Sequence, residues 1–425
     1  MNRTHPGDHS HTRLTETPGA DTGVFLSLLD PASRADPYPI YQRLRELGPL
    51  RIGALPLVVL SGYRDCEAMM RHPAASVDRT LTELAVSQFP KPEWGGLGRK
   101  PSFLFLDPPD HTRLRRLVAK AFTPKVVAGL APTITALVDE LLDRTAAAKW
   151  IDIVSELAYP LPVTVICELL GVPLTDEAQL GRWSSLVTRG LDPTLQTLSA
   201  AERTEIDRAG QDLYGYFADL VEHRRAHPAS DLLSQLIAAE DAGDQLTRDE
   251  VISTCALLLV AGHETTVNLI ANAMLALLRN PGQFDALRED PELATGIVEE
   301  TLRFDPPVQM VPRIAAADLR IGDADIHRGD VVMMFYAAAH RDPAVFTDPD
   351  RFDPTRETRH LAFGLGAHFC LGAPLARLET RIALTRFALR VRSPRLAIDP
   401  PVYRDHITLR GPAVLPVDFD AITTR

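Results

Sequence analysis

Cys370 and His368 stand in the run Phe363-Gly364-Leu365-Gly366-Ala367-His368-Phe369-Cys370-Leu371-Gly372. Glycines this closely spaced permit positive φ and close backbone approach, so the run reads as a loop. Pro374 sits where a first helical turn tolerates proline, and Ala376-Arg377-Leu378-Glu379 opens a helical pattern. Cys370 therefore precedes a helix N-terminus, where free N–H groups and the positive dipole end lower a thiol's pKa. A thiolate held in such a loop is a soft, electron-rich metal ligand. The residues leave two other readings open. One is a small buried hydrophobe, the usual state of a free cysteine. The other is zinc bound through His368 and Cys370, although tetrahedral zinc uses further paired Cys or His, and none stands nearby.

A second candidate is Gly262-His263-Glu264-Thr265-Thr266, in the middle of the long apolar run Val251 to Arg279. An acid at the centre of a buried helix is expensive unless it is used or paired. Gly262 weakens that helix by about 1 kcal/mol relative to alanine, and its plain reading is a packing glycine. His263 is expected to face a neighbouring helix. A third is the helix opened by Asp107-Pro108-Pro109-Asp110. There His111 and Arg115 share one face, and Arg113, Arg116 and Lys120 share roughly the opposite one. Spacing alone makes this a solvated basic helix. Glu300 and Arg303 are placed to pair on another helix.

Phe-Gly-x-Gly-x-His-x-Cys-x-Gly resembles the haem-ligand loop of the cytochrome P450 family without a mismatch. Ala-Gly-x-Glu-Thr-Thr at 261–266 is similar to the family's distal helix. Glu-x-x-Arg at 300–303, and Arg351 in Pro349-Asp350-Arg351-Phe352, follow in the family's order. The resemblance covers about residues 25 to 425. It implies a mainly α fold with small β-sheets, one large domain, and haem b buried between the long distal helix and the cysteine loop. It implies Cys370 as the axial iron ligand, with Phe363 packed beside it. His111, Arg115, Arg313 and His368 would hold haem propionates. Glu264 and Thr265 would deliver protons to oxygen, and Glu300, Arg303 and Arg351 would form a structural triad. His340-Arg341-Asp342-Pro343 replaces a common Asn-Arg-Asp-Pro, a mild departure with no expected consequence. The implied activity is a monooxygenase reaction, hydroxylation or epoxidation of a small apolar substrate such as a polyketide or macrolide, terpenoid or steroid. The implied partners are dioxygen and electrons from NAD(P)H through ferredoxin reductase and ferredoxin. Arg113, Arg116 and Lys120 would meet the acidic donor. A peroxide-driven peroxygenase and a non-catalytic haem-thiolate sensor are the alternatives.

The elements that must position these residues are legible in outline. Asp36 to Leu47 reads as a short amphipathic helix, and Leu50 to Leu60 as β-structure ending in a turn at Ser61-Gly62. Thr80 to Pro101 is a long irregular stretch that roofs the pocket in the family. Ile151 to Val172 reads as helical. Trp183 to Leu220 reads as two helices broken at Gly190, the family's lid. Val308 to Val332 reads as short strands with turns at Gly322-Asp323 and Arg328-Gly329. Arg404 to Pro412 reads as a hairpin that offers Ile407, Thr408 and Leu409 to the substrate. Residues 1–24 are polar and read as a disordered tail, in which His5, His9 and His11 are solvated; residues 25–425 are the monooxygenase domain.

The chain has 425 residues and a net charge of −11, which argues against nucleic acid or an anionic membrane as partner. Its four cysteines, Cys66, Cys167, Cys255 and Cys370, are widely spaced, as in a reducing compartment. The expectation is a cytoplasmic bacterial monomer. Polar residues in the middle of Val251 to Leu278 are costly in a spanning helix, so that run is expected to lie in a core.

Overall fold

A computed structural model describes residues 20–84, 100–190, 192, 198–241 and 246–423. The histidines of the N-terminal tail and most of the expected roof, 85–99, lie outside the described residues. A helix spans Ala20–Leu26, inside the last residues of the expected tail.

The described chain is mainly helical with small sheets, as expected. Its centre is α5, Arg248–Arg279. Thr247 caps it: the Thr247 hydroxyl accepts the Glu250 N–H, and the Glu250 carboxylate accepts the Thr247 N–H. Around it pack α2 (Pro160–Leu170), α3 (Glu177–Arg189), α4 (Ala200–Ala226), α6 (Ala294–Phe304) and α7 (Ala373–Arg390). The short α1, Asp110–Val118, is tied to the start of α5 by Arg113 and Glu250, 2.7 Å apart. The break expected at Gly190 is the end of α3, and α4 begins beyond it at Ala200.

α5 is the one described helix long and apolar enough to cross a membrane, and 83% of its apolar window is buried inside the fold. Burial satisfies its apolar residues without lipid.

The main sheet is five-stranded. Its strands are β1 (Leu50–Arg51), β2 (Leu57–Leu60), β3 (Ala75–Ser76), β4 (Val311–Ala315) and β5 (Val331–Met334), in the order β1-β2-β5-β4-β3. β2 runs parallel to β5, with Leu57 opposite Val331; β4 runs antiparallel to β5, with Arg313 opposite Val332. This register sets Arg313 on a half-buried face near the cysteine loop. One element departs from expectation. Trp150–Asp152 is a strand that pairs with Pro416–Asp418, so the apolar run from Ile151 starts as an edge of a small sheet, continues as a π-helical turn at Val154–Ala158 and becomes α2 at Pro160. Local sequence shows the apolar content but not the partner strand more than two hundred residues away.

Candidate functional site

The cysteine loop connects Leu361 to α7. Gly364 and Gly366 both take φ +68, a conformation glycine adopts without strain. The turn closes through the Cys370 N–H, which donates to the Phe363 carbonyl at 2.7 Å. The thiol lies against the first N–H groups of α7, those of Gly372 and Ala373. The surroundings of the thiol act against the lowering expected from the helix end. Burial pushes the Cys370 thiol up, and it outweighs those N–H groups and the charges of Arg115 and Arg377. The helix end moderates the thiol without ionising it; a coordinated cation would deprotonate it outright.

Beside the loop a cationic cluster converges. The rings of His111 and His368 are 4.1 Å apart. His111 is 1% exposed, and neither of its ring nitrogens has a hydrogen-bond partner; His368 Nε2 has none either. Arg115 donates to the Phe369 carbonyl, and Arg313 donates to the Pro312 carbonyl. Burial and the charges of His111, Arg313 and Arg115 depress His368 to about 3. Among the described residues no carboxylate forms an ion pair with any of the four, so an external anion would find unspent donors here.

Across from this, α5 is buried at every position from Glu250 to Leu277 except Ala261, Gly262 and Thr265. Ala261 is exposed and the other two are half-buried. Helical spacing puts Ala261 and Thr265 on one face, so a space abuts this single turn of a core helix. The Thr265 hydroxyl donates to the Ala261 carbonyl at 2.9 Å. An added Cβ on Gly262 would lie 3.3 Å from Ile166 of α2, a tight approach. Glu264 points the other way and is 4% exposed. Arg404 Nη1 donates to its Oε2 at 2.9 Å, and His263 Nε2 stands 3.6 Å from its Oε1. Burial alone would raise the carboxyl, yet His263, Arg404 and His406 hold it at about 2. His263 is fully buried, edge-on to Tyr159, with Nδ1 2.8 Å from the Leu259 carbonyl. It faces a neighbouring element as expected and also touches Glu264.

Two clusters of sequence-derived residues are thus assembled: Phe363, His368, Cys370, His111, Arg115 and Arg313 in one, Glu264 and Thr265 in the other. They fit an iron porphyrin. A cysteine sulfur lies beside two half-buried arginines and two imidazoles that no described carboxylate pairs, and α5 leaves one turn open.

Four expectations change. Arg351 is not the third member of the triad: its side chain is exposed and pairs with Asp353, while only its carbonyl meets Arg303. Arg356 Nε instead lies 3.6 Å from Glu300 Oε1, beside the fully buried Glu300–Arg303 pair. Arg113 is held by Glu250 and Asp110, so it does not join Arg116 and Lys120 in the exposed basic face. Ile407 is buried in the core with Leu28 and Tyr41, leaving Thr408 and Leu409 half-buried. His340 is not idle, because its Nε2 accepts the Leu361 N–H at 2.7 Å and fastens the start of the cysteine loop. Arg404 was missed as an ion-pair partner for want of any local signal, since it stands 140 residues from Glu264.

Comparison with known proteins agrees with this geometry. The family model described as Cytochrome P450 matches residues 40–392. The ligand-free crystal structure of Mycobacterium smegmatis CYP164A2 superposes with a TM-score of 0.88 at 51% identity, covering 93% of this chain and all of that one. Cytochrome P450 107B1 of Saccharopolyspora erythraea is 40% identical over 413 residues, 93% of this chain and 98% of its own length. Vitamin D(3) 25-hydroxylase of Pseudonocardia autotrophica is 41% identical over 395 residues, 90% of this chain and 93% of its own.

Proposed function

The chain belongs to the cytochrome P450 family and is a P450 monooxygenase, and on that premise we propose that it hydroxylates or epoxidises a small, mostly apolar secondary metabolite of polyketide, terpenoid or steroid type. Electrons come from NAD(P)H through ferredoxin reductase and ferredoxin, and the protein works as a monomer in the cytoplasm. Members of the family bind haem b. The observation that carries the site assignment is the open turn of α5 at Ala261, Gly262 and Thr265, in a helix otherwise buried from Glu250 to Leu277. A relative named as a vitamin D(3) hydroxylase supports the apolar substrate class.

In this reading Cys370 holds the iron, and Phe363 packs against the loop whose carbonyl fixes the Cys370 N–H. His111, Arg115, Arg313 and His368 bind the propionates, which satisfies ring nitrogens that are otherwise unpartnered. Bound haem would supply the dioxygen and one-electron chemistry, with the Cys370 thiolate as the residue that would hold it. The chain's own task on the other side is proton supply. Thr265 turns its hydroxyl out of the Ala261 bond toward the open space. Glu264, on the other side of the turn and ion-paired with Arg404, would have to leave that pair to pass protons on through water.

The test is the visible spectrum of the purified protein, reduced under carbon monoxide and then titrated oxidised with secosteroids, macrolides, terpenoids and fatty acids. A strongly red-shifted Soret band, lost in Cys370→Ser, supports thiolate ligation, and a conversion to high spin names the substrate class. A histidine-type Soret band that Cys370→Ser leaves unchanged overturns the assignment.

A further inference from the structure

Beside the cysteine loop, Phe363 lies between an arginine and a histidine that share one carboxylate. The Arg377 guanidinium sits 4.5 Å over the Phe363 ring, and the His360 ring stands 5.7 Å from it. Glu299 joins them. Its Oε1 accepts from Arg377 Nε at 2.6 Å, and its Oε2 accepts from Arg377 Nη2 at 2.9 Å and lies 3.1 Å from His360 Nε2. The result is a closed ring, Glu299–Arg377–Phe363–His360, whose aromatic member carries the carbonyl that receives the Cys370 N–H. Burial would raise the Glu299 carboxyl, but His360 and Arg377 hold it at about 2, so its charge is permanent at working pH.

We propose that Arg377 is a positioning residue that sets the electron donation of the Cys370 sulfur, and that Glu299 tunes Arg377 by neutralising part of its charge. A cation near a thiolate withdraws donation and favours the reduced, more negative centre. The carboxylate next to that cation opposes it. The two residues therefore act with opposite sign, which distinguishes a field effect from mere support of the loop. The inference rests on the thiolate reading above.

Glu299 and Arg377 line a surface cleft with Val127, Val298 and Leu378, and their side chains are 27% and 36% exposed. Either partner left alone is reached by water, so single variants keep the fold. The measurement is the midpoint potential of the substrate-free, haem-loaded protein, with the reduced carbon monoxide spectrum as control. Arg377→Met shifts the potential negative, Arg377→Lys recovers most of that shift, and Glu299→Gln shifts it positive. Potentials that do not move, or that move in the same direction in Arg377→Met and Glu299→Gln while the Soret band keeps its thiolate position, overturn the inference alone. If Arg377→Met does not load haem, Glu299→Gln decides by its sign. A histidine-type Soret band in the unaltered protein overturns the thiolate reading and this inference with it.

Discussion

Glu264 keeps its charge where water scarcely reaches, and Arg404 with His263 is the reason. Its folded pKa, about 2, lies below the ordinary carboxylate value of 4.5. The pair's contribution is complete above pH 4.5 and is lost as pH falls toward 2. Arg404→Ala strands a buried carboxylate and should cost about 3 kcal/mol at neutral pH. Denaturant titrations across pH check this: the gap between the parent protein and the variant narrows below pH 4.5. A gap that does not change with pH would place the cost in packing instead. At the same scale, Thr265→Ala should keep haem and substrate binding and send electrons to peroxide. Hydrogen peroxide measured against NAD(P)H consumed reports it, and tightly coupled turnover in that variant removes Thr265 from the relay.

The Glu300–Arg303 pair acts between elements. Arg303 binds Glu300 through two hydrogen bonds, 2.8 and 2.7 Å, and reaches the carbonyls of His340, Pro349 and Arg351. Glu300 in turn accepts the Asp353 N–H at 2.9 Å. One ion pair on α6 thereby anchors the whole segment that leads to the cysteine loop. Arg356 stands beside Glu300, whereas Arg351 faces solvent. Arg356→Ala should destabilise by about 2 kcal/mol, and Arg351→Ala by less than about 0.5 kcal/mol. Thermal unfolding of the two variants compares them directly, and a reversed order would restore Arg351 to the triad.

At the scale of the molecule, a chain of net charge −11 still exposes Arg116, Lys120 and Lys125, on and just beyond the helix that carries His111. Such cations suit an acidic electron donor. Reversing Arg116 and Lys120 to glutamate should slow reduction by ferredoxin about tenfold at low salt, with the difference fading above about 0.5 M salt. Stopped-flow reduction across ionic strength tests it, and an equal rate at all salt concentrations removes these cations from donor docking. Arg113 is left out of that pair because its charge is spent on Glu250.

Much of this protein is decided locally and could be read from the chain. The cysteine loop follows from glycines that permit φ +68 and a proline that opens α7; the long core helix follows from a long, mostly apolar run behind a Thr247–Glu250 cap. The chemistry-bearing types, Cys370, His368, Glu264 and Thr265, stand in those local frames. Side-chain pairing across the fold is another matter. That Arg404 rather than a neighbour holds Glu264, that Arg356 replaces Arg351, that Glu299 gathers Arg377 and His360 around Phe363, and that burial outweighs the helix end at Cys370 are all tertiary outcomes. Each depends on the direction of a side chain and on how much water remains around a charge. Those quantities are fixed only when distant segments pack, because the interaction of two charges depends on their separation and on the dielectric between them.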